Sequence, residues 1–232
     1  MNNVIIACDF ENKQVLKEFL KNFQEEKPML KIGMELFYSE GPTLVRELKE
    51  MGFDIFLDLK LHDIPNTVEK AMASVGKLNV DLTNVHAGGG IKMMEAAKRG
   101  LASVGAATKL IAVTQLTSTD DATLKEELLI DTPMNETIVQ YAINTKKAGL
   151  DGVVCSPLES KMIHEACGEA FLTVTPGIRL SDDSKDDQKR VTTPTLAREL
   201  GSNYIVVGRS ITKASNPAET YKKIWEDFNH GA

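Results

Sequence analysis

The stretch DIFLDLKLHDIPNT, Asp54–Thr67, begins as a strand of alternating apolar residues and then carries Asp58, Lys60, His62 and Asp63 within six positions. Strand side chains alternate between faces. Ile55, Leu57, Leu59 and Leu61 therefore form one apolar set, which leaves Phe56, Asp58, Lys60 and His62 on the other face. If both faces are covered, the charged residues point into an interior. Buried ion pairs do occur as purely structural devices, but desolvation leaves them little net stability. Crowding acids and an amine into one strand therefore favours a functional reason.

Seven further β-rich runs share this character: NVIIACD, MLKIGME, LTNVHA, KLIAVTQL, DGVVCS, FLTVTPGI and YIVVGRSI. Segments with helical periodicity lie between them, among them KQVLKEFLKNF, GPTLVRELKEMG and NETIVQYAINTKKAG. Most runs begin roughly 25 to 30 residues apart, the length of a βα unit, and eight such units predict a closed (β/α)8 TIM barrel. An open doubly wound sheet is the competing arrangement. Residues 1–232 read as a single barrel domain without an interdomain linker. Two connections are long: TSTDDATLKEELLIDTPMN after the fifth strand, and RLSDDSKDDQKRVTTP after the seventh, which is polar and reads as mobile. Long loops at strand C-termini are where barrels carry binding and lid functions.

Composition narrows the setting. Lys and Arg total 27 against 33 Asp and Glu, a net charge of −6, so the chain lacks the general basic footprint of a nucleic-acid binder. An anionic ligand would need a local positive pocket. Cys8, Cys155 and Cys167 have no metal-type spacing, and their odd number argues against a complete disulfide framework. That fits a reducing cytoplasm. The N-terminal MNNVIIACDFENK has a short apolar run and no leading positive charge, so it is expected to be a first strand rather than a signal peptide or membrane span.

Strand parity extends the interior group. In the second run Leu30, Ile32 and Met34 make the helix-facing set, which places Lys31, Gly33 and Glu35 on the other side. Asp9 ends the first strand and can reach the same C-terminal rim. An amine flanked by carboxylates stays protonated despite burial. Lys60 would then be an ammonium acid, suited to a reaction that develops negative charge on carbon. Across the mouth, TPGIR and VVGRS supply Gly177, Arg179, Gly208 and Arg209 after strands seven and eight, with Gln188 in the intervening loop. Glycines permit close backbone approach and arginines make paired hydrogen bonds to an oxyanion, so a phosphate pocket is expected there. Neither element matches a nucleotide-binding GxGxxG.

Taken in order, ACDF, LKIGMELF, DLKLHDIPNT, NVHAGGG, AVTQLTS, TPGIR, DDQKRVTTP and VVGRSIT closely resemble the orotidine 5′-phosphate decarboxylases, over essentially the whole chain. The resemblance implies decarboxylation of orotidine 5′-monophosphate (OMP) to uridine 5′-monophosphate (UMP), without metal or organic cofactor. It implies Lys60 as proton donor, with Lys31, Asp58 and Asp63 completing an alternating charged network. Asp9 and Lys31 would contact the ribose hydroxyls, and Thr117 and Pro176 would lie near the pyrimidine. Arg179, Gln188, Gly208 and Arg209 match the phosphate positions. Asp63, Ile64 and Thr67 would enter a neighbouring subunit's site, which implies a homodimer with a shared active site. Ser210 departs from the pattern, since many relatives have proline after the arginine. His62 and His86 are expected to pack or hydrogen-bond rather than transfer protons. Two other functions compete: a metal-dependent decarboxylase of a keto-sugar phosphate, and a non-enzymatic nucleotide sensor built on the same barrel.

Overall fold

The computed structural model describes residues 3–180 and 192–231. Gln188 and most of the long connection after the seventh strand lie outside the described residues. Eight parallel strands close into a barrel in chain order: β1 Val4–Ala7, β2 Met29–Gly33, β3 Ile55–Leu61, β4 Leu82–His86, β5 Lys109–Val113, β6 Gly152–Val154, β7 Leu172–Thr175 and β8 Tyr204–Val207. The ring is sealed where β1 pairs with β8, Val4 opposite Ile205 and Ile6 opposite Val207. This is the TIM barrel fold, and it excludes the open sheet.

The helices are α1 Lys13–Leu20, α2 Met34–Glu50, α3 Pro65–Gly76, α4 Gly90–Ala102, α5 Met134–Lys147, α6 Ser160–Cys167, α7 Pro194–Glu199, α8 Arg209–Thr212 and α9 Pro217–His230. Several starts are written in the sequence. The side chains of Asn12, Thr193 and Asn216 accept the N–H groups of Val15, Leu196 and Glu219, satisfying donors that a helix start leaves unpaired. Helix α2 starts earlier than its periodic segment and bends at Gly41, whose φ is 69°, just before Pro42. Helices α3 and α4 pack closely because Gly100 has no side chain; a Cβ there would overlap the Glu69 carbonyl oxygen.

Strand parity sorts the apolar residues into two layers. Outward residues such as Ile6, Leu30, Ile32, Ile55, Leu57 and Leu59 join the helices in one large cluster. Inward residues Ile5, Ala7, Met29, Phe56, Leu82, Ile111, Val174, Tyr204 and Val206 fill the barrel. The inner layer is apolar low in the barrel, so the polar inward residues that follow it gather at the C-terminal mouth. Parity fails after β2: Met34 and Glu35 begin α2 and are both exposed, so neither belongs to a strand face. Among the described residues no helix is long and apolar enough to cross a membrane.

Candidate active site

The C-terminal mouth holds a cavity of about 540 Å³, lined among others by Asp9, Lys31, Asp58, Lys60, Thr117, Pro176, Gly177, Arg179, Gly208 and Arg209. The charged end is assembled from β1, β2 and β3. Lys31 lies opposite Phe56 and Gly33 opposite Asp58 in the β2–β3 register. The Lys31 side chain therefore rises past Gly33 to reach the acid. A Cβ on Gly33 would stand 3.2 Å from Lys31 Nζ and 3.4 Å from Asp9 Oδ1, so the pair packs directly over this glycine.

Asp58 is the hub of this cluster. Lys60 Nζ donates to its Oδ1 at 2.7 Å, and Lys31 Nζ stands 3.6 Å from its Oδ2. Lys31 also donates to Asp9 Oδ1 at 2.9 Å. Burial works to raise the Asp58 pKa, but Lys31, Lys60 and hydrogen bonds from Lys60 and Asn84 outweigh it and hold the carboxyl below its ordinary value. Burial likewise pulls Lys31 down, while Asp9 and Asp58 carry it above the ordinary lysine value. Both groups are charged at neutral pH. The result is a row of alternating charges along one wall of an otherwise largely apolar cavity.

Lys60 sits in an unusual backbone conformation, with φ at +53°. The β3–β4 register shifts around it, from Leu57 opposite Thr83 to Leu61 opposite Val85. A β-bulge of this kind re-aims a side chain at the cost of a ladder hydrogen bond. Here the Asn84 side chain supplies the lost partner, its Oδ1 accepting the Lys60 N–H at 2.8 Å. Left-handed conformations in non-glycine residues are costly and cluster at functional sites.

At the opposite end Gly177 has φ +85°, a turn that favours glycine, and the backbone then pairs across Ile178 and Thr192. The Arg179 N–H donates to the Thr192 carbonyl at 3.0 Å, which ties the two ends of the undescribed connection together beside the cavity. Gly208 precedes α8, and Arg209 begins it. Ser210 is buried in that short helix.

Asp63, Ile64 and Thr67 do not line the cavity of their own chain. They are exposed at the start of α3, Ile64 at 66%, and Asp63 Oδ1 accepts the Ile64 N–H at 2.7 Å. His62 falls beyond the end of β3, so strand alternation stops short of it; it is exposed and stacks obliquely on His86, with ring centroids 5.7 Å apart. Burial, His62 and Lys60 depress the His86 pKa, outweighing the opposite pull of Asp58. Sequence reasoning passed over Asn84, Gln115 and Lys213, the last two of which line the cavity. The inward parity of LTNVHA carried the signal for Asn84. Lys213, an exposed lysine after a short helix, had none.

Known proteins resemble this chain along nearly its whole length. The chain is 58% identical over 224 residues, 97% of both chains, to the orotidine 5′-phosphate decarboxylase of Staphylococcus aureus strain Mu3. Among solved structures it resembles the orotidine 5′-phosphate decarboxylase of Lactobacillus acidophilus, with a TM-score of 0.89 and 43% identity, covering 99% of this chain and all of the other. An uncharacterised conserved protein of Geobacillus kaustophilus is as similar in fold, with a TM-score of 0.88 and 48% identity over 97% of this chain and 100% of its own. Residues 2–224 match the model of one family throughout, and the chain belongs to it: the orotidine 5′-phosphate decarboxylase / HUMPS family.

Proposed function

We propose that this chain, acting as one barrel domain, decarboxylates OMP to UMP and CO2 in pyrimidine biosynthesis, with Lys60 as the acid. The observation that carries the reading is the Lys60–Asp58 contact at 2.7 Å on the wall of a cavity also lined by Arg179 and Arg209. The bond from C6 to the carboxylate carbon breaks and its electron pair stays on C6. CO2 departs, and the Lys60 ammonium stabilises the developing carbanion and then delivers its proton to C6. Asp58 holds that ammonium in place beside the leaving carboxylate. The stabilisation acts on charge that exists only in the transition state, so it raises turnover rather than uniform binding.

The remaining residues position the substrate. Asp9 and Lys31 take the ribose hydroxyls, and Thr117 and Pro176 flank the pyrimidine. Arg179, Gln188, Gly208 and Arg209 hold the phosphate. Two copies of the chain share each site, with Asp63, Ile64 and Thr67 reaching into the partner's cavity. The exposure of an apolar Ile64 beside the cavity mouth supports this. Mixing Lys60→Ala with Asp63→Ala chains tests it: sharing regenerates one intact site in the mixed dimer and so restores activity, whereas unshared sites restore none. We assign the chain to the cytoplasm, in keeping with three unbridged thiols.

The deciding experiment is conversion of OMP to UMP by the purified protein after thorough chelation. Turnover under those conditions is expected. Activity only on a keto-sugar phosphate with Mg²⁺, or nucleotide binding without CO2 release, would overturn the proposal in favour of the metal-dependent decarboxylase or the sensor.

A further inference from the structure

We infer that Asn84 is a positioning residue for the reaction, a two-ended clamp that sets the Lys60 backbone and the Asp58 carboxylate at once. The inference rests on the reading of the site proposed above. Asn84 is fully buried on β4, and both ends of its amide are committed to the charged pair. Its Nδ2 donates to Asp58 Oδ1 at 2.7 Å, and its Oδ1 accepts the Lys60 N–H at 2.8 Å.

The two bonds make different demands, and an amide meets both. A carboxylate needs a donor, and a backbone N–H needs an acceptor. Rotating the amide by half a turn would set oxygen against oxygen and nitrogen against nitrogen, so its orientation is fixed by its partners. Leucine would supply neither bond. An ionised aspartate would supply the acceptor but would bring a second negative charge against Asp58.

The clamp acts where the strand is least able to hold itself. Lys60 occupies a left-handed φ of +53°, and the register shift to β4 leaves its N–H without a ladder partner. Asp58 Oδ1 receives both Asn84 Nδ2 and Lys60 Nζ, which leaves Oδ2 facing Lys31. Releasing Asn84 frees the carboxylate to rotate and the Lys60 backbone to relax out of its strained state. The ammonium would then shift relative to C6 while the ribose and phosphate contacts stay in place.

The test compares Asn84→Ala and Asn84→Asp with the native protein on OMP. Asn84→Ala is expected to lower kcat by about 100-fold, the cost of an ångström-scale misplacement, with a much smaller change in KM. Asn84→Asp carries the diagnostic readout. Protonated, its carboxyl reproduces both the donor and the acceptor; ionised, it repels Asp58. Its turnover relative to the native protein is therefore expected to rise as pH is lowered from neutral to mildly acidic. A native kcat in Asn84→Ala, or a variant-to-native ratio in Asn84→Asp that does not change with pH, would overturn the inference. If Asn84→Ala does not fold, the pH ratio of Asn84→Asp decides alone. Carboxyl ¹³C NMR separates this claim from the function itself: Asp58 should titrate higher in Asn84→Ala than in the native chain whatever the substrate, and equal titration overturns the clamp. Absence of OMP turnover by the native protein would instead overturn the proposed activity.

Discussion

Lys60 and Asp58 stand two positions apart on one strand, and the ammonium of the first donates to the carboxylate of the second at 2.7 Å. Residues at that spacing share a strand face. The left-handed φ at Lys60 and the bulge around it then set the direction in which the amine points. Lys31 approaches the other oxygen of Asp58 from the neighbouring strand at 3.6 Å, so one acid sits between two ammonium groups.

In the proposed mechanism, replacing Lys60 by alanine removes both the charge that would stabilise the carbanion and the proton that would quench it. OMP turnover is expected to fall by roughly 10⁴-fold or more, with the barrel intact by circular dichroism. Lys60→Gly is expected to be equally inactive but more stable than Lys60→Ala by about 1 kcal/mol, because glycine tolerates the left-handed backbone. Unfolding midpoints of the two variants check the second statement. Substantial turnover by contamination-free Lys60→Ala would contradict the first.

Asp58→Asn leaves the ammonium groups of Lys31 and Lys60 facing each other without their acid. The loss at neutral pH is expected to be about 3 kcal/mol, as for other buried pairs with one partner removed. The folded Asp58 pKa lies below its unfolded value. Its contribution is therefore fully present above the unfolded carboxyl pKa of about 3.9 and is lost as pH falls through the folded one. Lys31 is shifted upward, so its contribution is present below the unfolded lysine pKa of about 10.4 and is lost as pH rises through the folded one. Denaturant unfolding across a pH series should show the native-to-variant gap closing in strong acid. A gap of constant size would refute the linkage.

Arg209→Ala tests the far end of the cavity. A charged hydrogen bond to phosphate is worth about 1.5–3 kcal/mol, so kcat/KM for OMP should fall roughly 10- to 100-fold. Orotidine, which lacks the phosphate, should lose much less. Equal losses on both substrates would remove the phosphate role.

Gly100→Ala probes the scaffold. The added Cβ would overlap the Glu69 carbonyl oxygen, a backbone atom of α3 that cannot turn aside. Helices α3 and α4 must separate, at a cost of about 1–3 kcal/mol typical of overpacking. The thermal midpoint should drop accordingly; an unchanged midpoint would show that the helix pair adjusts freely.

Much of this protein is legible in the chain itself. Apolar alternation and the βα spacing marked out eight strands and the two faces of each, because side-chain parity is a local property of an extended backbone; the pairing of β1 with β8 then decided for the closed ring over the open sheet. The same parity places Lys31, Asp58 and Lys60 on the inward face, where all three line the cavity. It failed at Met34, Glu35 and His62, where helix or loop geometry replaces the strand and alternation no longer applies.

The tertiary structure decided what parity cannot encode. The register between β2 and β3 sets Gly33 opposite Asp58 and lets Lys31 pass, and the bulge between β3 and β4 turns Lys60 and recruits Asn84 to its backbone. Sequence gives each strand its two faces. How far one strand is slid along the next is fixed only when all eight close into a ring, and that offset determines which charges touch.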